Sequence, residues 1–348
     1  MNPSNRSLIS LDELNEQNRE QVEYKKGEIK KLLGSNRFQI QLPFSRAEFV
    51  TELPKKQKGM SISGYQPKLS LAINDDHQLG VAVDKALFIL KPSPEEFPHL
   101  AENEHATMLV MKFLGFDTPP FGLVRFNDQD GEGELAFMIR RYDRLNAGEE
   151  AIHQEQLDAA MGVREKYGKT EGDAEGYVSY EQACKFLINK VDGSLNFKKE
   201  LFNRILVAYF LGNNDLHLRN IGLLLPEQEN TRLAPIYDYV SIAPYPGYIA
   251  NESPLALPLL ASEEGDNCNT SGYQSHSTYT GYDFLTFAQN IGLNPKLATK
   301  MIKDLCAKQE AILDIYRNSF MLPEHVEKVA EWILSRINYL GQLEHVTI

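Results

Sequence analysis

The 348-residue chain is long enough to bury two cores, and its 42% hydrophobic and 24% charged content excludes a disordered or fibrous polymer. A formal net charge of −12 argues against direct binding to nucleic acid or to an anionic membrane. No apolar run approaches the roughly 20 residues of a membrane span, and the N-terminus has no signal-like apolar core, so a cytoplasmic location is expected.

Residues 1 to about 58 are polar and lysine-rich. They suggest one helical stretch, Glu13 to Leu33, and carry no motif. From Lys68 the pattern changes to short apolar runs divided by turn signals. KLSLAI, VAV and ALFILKP read as three strands with hairpin connections, the last ended by Pro92. ENEHATMLVMKFLG follows with helical spacing and Gly115 as its terminating residue, which predicts an amphipathic helix. FGLVRF and LAFMIRRY then read as two more strands joined by the turn-rich NDQDGEGE.

Beyond Asp143 the periodicity is mostly helical, through HQEQLDAAM, EQACKFLI, NFKKELFNRILVAYFLG and two long segments after Pro295 and Pro323. The polar stretches 162–176 and 262–280 read as surface loops. The fold class expected is α+β, with residues 1–140 as a sheet-based lobe and 141–348 as a helical lobe. Cys184, Cys268 and Cys306 are too scattered for a disulfide framework or a zinc site and read as free thiols.

The chemistry concentrates in GNNDLHLRNIGLLL. Asp215 precedes Asn220 by five residues, between a helix and an expected hairpin. In kinases an Asp and an Asn at this separation share one loop, the Asp taking or orienting the acceptor hydroxyl proton and the Asn binding Mg²⁺. The hairpin delivers Asp238 in YDYVS, and one carboxylate, one amide oxygen and ATP phosphates can complete an octahedral Mg²⁺ shell. The plainer alternative makes these three turn residues and a strand-end cap.

Two further sets support the first. Lys91 closes a buried strand and needs compensation for its charge, which ATP phosphates and Glu104 of the next helix would supply. GMSISGYQPKLSL stands where a phosphate-covering loop is needed, with Gly59, Ser63 and Gly64 able to bend near phosphate and Lys68 adding charge. His217 is read as packing and Arg219 as a surface charge.

SISGYQPKLSL, FILKP, ENEH, RRYDR, IHQEQ, NNDLHLRN and PIYDYVS occur in the order found in HipA-like kinases, from about Ser61 to Asn294. The resemblance implies a bilobal protein-kinase-like fold, ATP between the lobes, and phosphate transfer to a protein serine or threonine. It implies Lys91 as the nucleotide-phosphate lysine, Asp215 as the catalytic aspartate, and Asn220 and Asp238 as metal ligands. Arg140, Tyr142 and Asp143 correspond to the hinge, with Arg140 where a glutamate is common. Ser61 and Ser63 correspond to the autophosphorylated loop.

With about 60 residues before that loop, the chain is similar to the short HipT toxins of three-component toxin–antitoxin systems. That likeness implies an aminoacyl-tRNA synthetase as substrate and two partners: a small antitoxin protein like the missing N-terminal subdomain, and a helix-turn-helix DNA-binding protein. The residues alone also fit a small-molecule phosphotransferase of similar fold. A non-catalytic docking module fits less well, because all four chemical positions are filled.

Overall fold

The structure is a computed structural model that describes residues 5–21, 23–35, 37–38, 40–51, 66–82, 84–128, 133–170, 176–245, 254–263 and 270–344. The loop holding Ser61, Ser63 and Gly64 lies outside the described residues, as does Cys268. The chain divides into two compact units. The first comprises 1–152, 235–237 and 315–322, and the second 153–234, 238–314 and 323–348.

The first unit is built on a five-stranded antiparallel sheet. Its strands are β1 (Leu69–Ile73), β2 (Leu79–Val81), β3 (Phe88–Pro92), β4 (Phe121–Arg125) and β5 (Leu135–Arg140), in the spatial order β2-β1-β3-β5-β4. Helix α1 (Leu100–Phe113) lies between β3 and β4 in sequence. The succession of three strands, a helix and two strands is therefore as expected. Gly115 has φ 89°, the left-handed conformation that lets it end the helix without a Cβ clash.

Helix α1 departs from simple amphipathicity. Glu102, Asn103, Glu104, His105 and Thr107 are buried along with Ala101, Ala106, Met108, Val110 and Met111. Each of these polar side chains has a bonding partner, as burial demands: Thr107 Oγ1, for example, lies 3.1 Å from Asn103 Oδ1 and 3.0 Å from Tyr316 Oη.

The stretch 13–33 is not one helix. Asn15 Oδ1 accepts from the backbone N–H of Gln17 and Asn18 and folds a turn there, an alternative that asparagine offers against the helical ladder. Short strands Arg19–Gln21 and Tyr24–Lys25 follow, and the helix is confined to Glu28–Leu33 behind Gly27 at φ 81°. This segment packs on the sheet: the Leu123 N–H donates to Leu8 O at 2.8 Å, and the Tyr24 hydroxyl donates to Leu123 O at 3.1 Å.

The second unit is mostly helical. Its small antiparallel sheet joins β6 (His153–Gln156), β7 (Gly222–Leu225) and β8 (Arg232–Leu233), with β7 in the middle. The expected hairpin before Asp238 is β7–β8. The start of HQEQLDAAM, read as helix, is instead strand β6. Its residues are polar and show no alternation, and only pairing with β7, His153 opposite Leu225 through Gln156 opposite Gly222, fixes them as strand.

The helices are α2 (Leu157–Met161), α3 (Tyr180–Lys190), α4 (Leu195–Leu211), α5 (Gly281–Asn290), α6 (Pro295–Cys306), α7 (Gln309–Arg317), whose residues from Ile315 onward belong to the first unit, and α8 (Pro323–Leu340). The segment after Pro295 is thus two helices. Within 262–280, read as loop, Ser271–His276 is helical, capped by the Thr270 hydroxyl accepting from Tyr273 N–H. Phe202 of α4 stacks on Phe287 of α5 at 5.9 Å, and Trp332 of α8 donates to Tyr209 O at 3.2 Å. Among the described residues no helix is long and apolar enough to cross a membrane.

His105 joins α1 to the N-terminal segment. Its Nε2 lies 3.0 Å from Ile9 O and must donate there, and its ring meets Phe121 edge-on. Burial, partly opposed by that hydrogen bond, lowers its pKa from 6.5 to about 4. Between those values the unfolded chain binds a proton that the folded chain refuses, so stability falls as pH falls through that window. Urea unfolding is expected to show a contribution of about 2 kcal/mol lost between pH 7 and pH 5. His105→Gln, which keeps a donor near Nε2 but does not titrate, should show a correspondingly smaller loss over the same range.

Candidate active site

In the first unit, β3 and α1 bring Lys91 and Glu104 together. Lys91 sits opposite Phe137 in the ladder between β3 and β5. Its ammonium donates to Glu104 Oε1 at 2.6 Å, with side-chain exposures of 5% and 0%. The Phe137 ring lies 5.7 Å from the same ammonium. A pair this dry is held by its mutual bond and neighbouring contacts, because either charge alone would be strongly penalised.

Of the residues expected to form a hinge, Arg140 ends β5 and Tyr142 and Asp143 come just after it. The Arg141 N–H donates to Leu87 O at 2.7 Å and the Arg140 N–H to Pro120 O at 2.8 Å. Asp143 is buried and accepts two bonds from Arg141, at 3.0 and 2.7 Å, with Arg144 3.2 Å away. A carboxylate so engaged reaches a further donor only through its remaining lone pairs. The ring of Tyr142 lies 5.5 Å from that of Tyr237.

In the second unit, α4 ends at Gly212, whose φ of 76° turns the chain out of the helix. A Cβ there would also meet Trp332 at 3.0 Å, so the position requires glycine. The loop that follows is held from several sides. Asn213, fully buried, accepts from the Asp215 N–H at 3.1 Å, and Tyr180 of α3 donates to Leu216 O at 2.8 Å. Arg219 donates through Nε to the buried Asp158 of α2 at 2.7 Å and through a terminal nitrogen to Arg164 O at 3.2 Å.

Asp215 and Asn220 are brought together by this loop. Asn220 Nδ2 donates to Asp215 O at 2.8 Å, which leaves its Oδ1, the metal-binding atom of the amide, on the other side of the group. The Asp215 side chain is 48% exposed. Behind the loop, a small cavity is lined by Tyr180, Cys184, Leu187, Leu216, Asn220 and Tyr239. The Cys184 thiol is buried there, and desolvation pushes its pKa up.

His217 Nε2 lies 3.6 Å from Asp215 Oδ1, and its ring meets Tyr167 edge-on at 5.6 Å. Burial lowers its pKa, the Lys166 ammonium lowers it further, and the Asp215 carboxylate opposes both. It is therefore a mostly neutral packing residue. Arg219 is not the loose surface charge expected of it, because Asp158 fixes it. Asp238 follows β8 and has φ 61°.

Tyr180, Asn213 and Asp158 were not legible as parts of the site. Tyr180 and Asp158 reach the loop across 36 and 61 residues of sequence. Asn213 alone offered a signal, standing two residues before Asp215.

Residues 60–313 match the family of HipA-like C-terminal domains. A Haemophilus influenzae protein named "Putative kinase" is 48% identical over 314 residues, 90% of this chain and 91% of that protein. The serine/threonine-protein kinase toxin HipA of Shewanella oneidensis is 24% identical over 308 residues, 82% of this chain and 65% of that one. A chain of the Shewanella oneidensis complex of HipA, HipB and operator DNA shares the fold with a TM-score of 0.62 at 19% identity, covering 83% of this chain and 68% of that chain. The Helicobacter pylori proinflammatory kinase CtkA gives 0.51 at 14% identity, covering 84% and 93%. The architecture is thus kinase-like.

The buried pair gives a stability test. Lys91→Met leaves the Glu104 carboxylate buried without its ammonium and should destabilise the protein by about 3 kcal/mol in urea unfolding. Adding Glu104→Leu removes the second charge and should restore most of that loss. A double variant no more stable than Lys91→Met would show that the two charges do not depend on each other.

Proposed function

Because the chain belongs to the HipA-like family, we propose that it is an ATP- and Mg²⁺-dependent serine/threonine protein kinase acting as the toxin of a toxin–antitoxin system. The observation that carries the reading is the loop of Asp215 and Asn220. One half-exposed carboxylate stands beside an amide whose NH₂ is already tied to the Asp215 carbonyl. The geometry suits an aspartate that meets an acceptor hydroxyl and an asparagine that offers oxygen to a cation.

The residues fit Mg²⁺, which takes few protein ligands and completes its shell with phosphate oxygens and water. Asn220 Oδ1 and the Asp238 carboxylate would hold it, and when bound it would neutralise charge on the phosphates. Lys91, oriented by Glu104, would meet the nucleotide phosphates. The backbone from Arg140 to Asp143 would bond adenine, with Tyr142 in the same strip and Asp143 near the ribose. Asp215 orients the hydroxyl and takes its proton as the oxygen attacks the γ-phosphorus.

Support for partners comes from relatives. The Shewanella oneidensis HipA structure is a complex with HipB and operator DNA. We extend this to an antitoxin and a DNA-binding protein for the present chain, including a small antitoxin of the kind found with HipT toxins. The substrate proposed from the family resemblance is an aminoacyl-tRNA synthetase. Ser61 and Ser63 are proposed sites of self-modification, where a phosphate would add about −1.5 to −2 charge near ATP.

Asp215→Asn should lower ³²P transfer from ATP by about 100-fold or more, with an unchanged unfolding transition. Asp238→Asn should abolish transfer, because it removes the only carboxylate assigned to the metal. Wild-type transfer in either variant would remove that residue from the mechanism.

Phosphoproteomics after brief expression should find a synthetase peptide phosphorylated by the wild type and not by Asp215→Asn. Mass analysis of the wild type incubated with MgATP should find phosphate on Ser61 or Ser63. Absence of the synthetase phosphopeptide, or an unmodified loop in active protein, would overturn the corresponding part of the proposal.

A further inference from the structure

Phosphoryl transfer spreads negative charge over three equatorial oxygens, and positive groups aimed there are a major source of rate. The loop between Asp215 and Asn220 supplies little of that charge from its own side chains. Leu216 and Leu218 are apolar, burial holds His217 toward its neutral form, and Arg219 is committed to Asp158.

A different segment brings a cation to this place. The N–H of Leu218 donates to Lys166 O at 3.0 Å, and Arg219 bonds Arg164 O at 3.2 Å. Residues 164–166 are therefore fastened to the loop through two of their carbonyls, one held by the Leu218 main chain and the other by the Arg219 side chain. The next residue, Tyr167, lays its ring edge against His217 at 5.6 Å, and the Lys166 ammonium lies 4.5 Å from the centre of that ring. Lys166, Tyr167, His217 and Asp215 thus form one contiguous row, closed by the 3.6 Å approach of His217 to Asp215. Among the described residues no carboxylate forms an ion pair with Lys166, whose ammonium rests over the Tyr167 ring.

We infer that Lys166 is a phosphate-binding residue of this site, contacting the γ-phosphoryl group of ATP as it passes to the acceptor. The inference rests on the kinase reading of Asp215. In the step, the bond from the γ-phosphorus to the bridging oxygen breaks and leaves ADP. A bond from phosphorus to the acceptor oxygen forms, and the hydroxyl proton goes to the Asp215 carboxylate. Lys166 keeps its protons throughout and contributes charge alone. Tyr167 limits the sweep of its side chain, and the bond from Leu218 fixes where the side chain starts.

The test uses the full chain, with MgATP and MgADP as probes. Lys166→Met should lower ³²P transfer from ATP by about 100-fold. It should also narrow the ratio of MgATP to MgADP affinity measured by calorimetry, leave MgADP binding unchanged, and leave the unfolding transition in place. Lys166→Arg, which keeps the charge, should recover most of both effects.

Wild-type transfer with an unchanged ATP-to-ADP ratio in Lys166→Met would overturn the proposal. So would equal losses in both variants with weaker MgADP binding and a lowered unfolding transition, which would mark a structural role. If the wild type transfers no phosphate but Lys166→Met still loses its preference for MgATP, the phosphate contact stands and the kinase reading falls. A wild type that binds neither nucleotide refutes both.

Discussion

A lysine and a glutamate held 2.6 Å apart, almost without solvent, tie β3 to α1 in the first unit. Desolvating two ions carries a penalty of several kcal/mol each, recovered only when the geometry is good. That geometry is set by elements distant in kind. Lys91 takes its position from the ladder between β3 and β5, and Glu104 takes its own from α1. Anything that moves α1 relative to the sheet separates the charges. His105 and Thr107, buried on the same helix, add to this by bonding Ile9 O and Tyr316 Oη in other parts of the unit.

The loop of the second unit solves a different problem. It contains only the short 3-10 turn Leu218–Asn220 and no longer regular element, so its shape cannot come from a ladder. Side chains supply the missing bonds: Tyr180 to Leu216 O, Asn213 from the Asp215 N–H, Asn220 to Asp215 O, and Arg219 to Asp158 and Arg164 O. Each hydrogen bond contributes roughly 1 kcal/mol net, and those to charged groups more. Their value here lies in orientation, since a half-exposed carboxylate is useful only if the backbone carrying it does not wander. The links to residues 164–166 make that preceding segment part of the same rigid piece.

What could be read from sequence divides along physical lines. The sheet with its helix was legible because short apolar runs, turn residues, Pro92 and Gly115 are local signals, and Asp215, Asn220 and Asp238 stood out as candidates because of their order and spacing. Strand β6 was not, because its polar residues become a strand only through pairing with β7, some 70 residues later. Residues 13–33 misled because helix-favouring Glu and Lys are common there, while the decisive features are Asn15 turning on its own backbone and Gly27 in the left-handed region. Tyr180 and Asp158 were invisible for a further reason: nothing in a tyrosine or an aspartate on one helix announces a backbone carbonyl or an arginine on a distant loop.

Asp238 shows how backbone and chemistry meet at one residue. Its φ of 61° lies in the left-handed region, which costs most L-residues about 1–2 kcal/mol and which Asp and Asn tolerate better than others. The chain reaches it from Tyr237, whose ring is fixed against Tyr142, and leaves it through Tyr239, which is buried and donates to Arg204 O at 3.3 Å. Asparagine preserves that conformation and removes only the negative charge. Alanine removes the charge and also the side chain that makes the left-handed turn tolerable, so loss of activity on an Asp-to-Ala change would mix backbone strain with chemistry. The identity of the residue at this position is thus required twice, by the turn for a short polar side chain and by the proposed cation for a carboxylate. Aspartate is the one common residue that meets both demands.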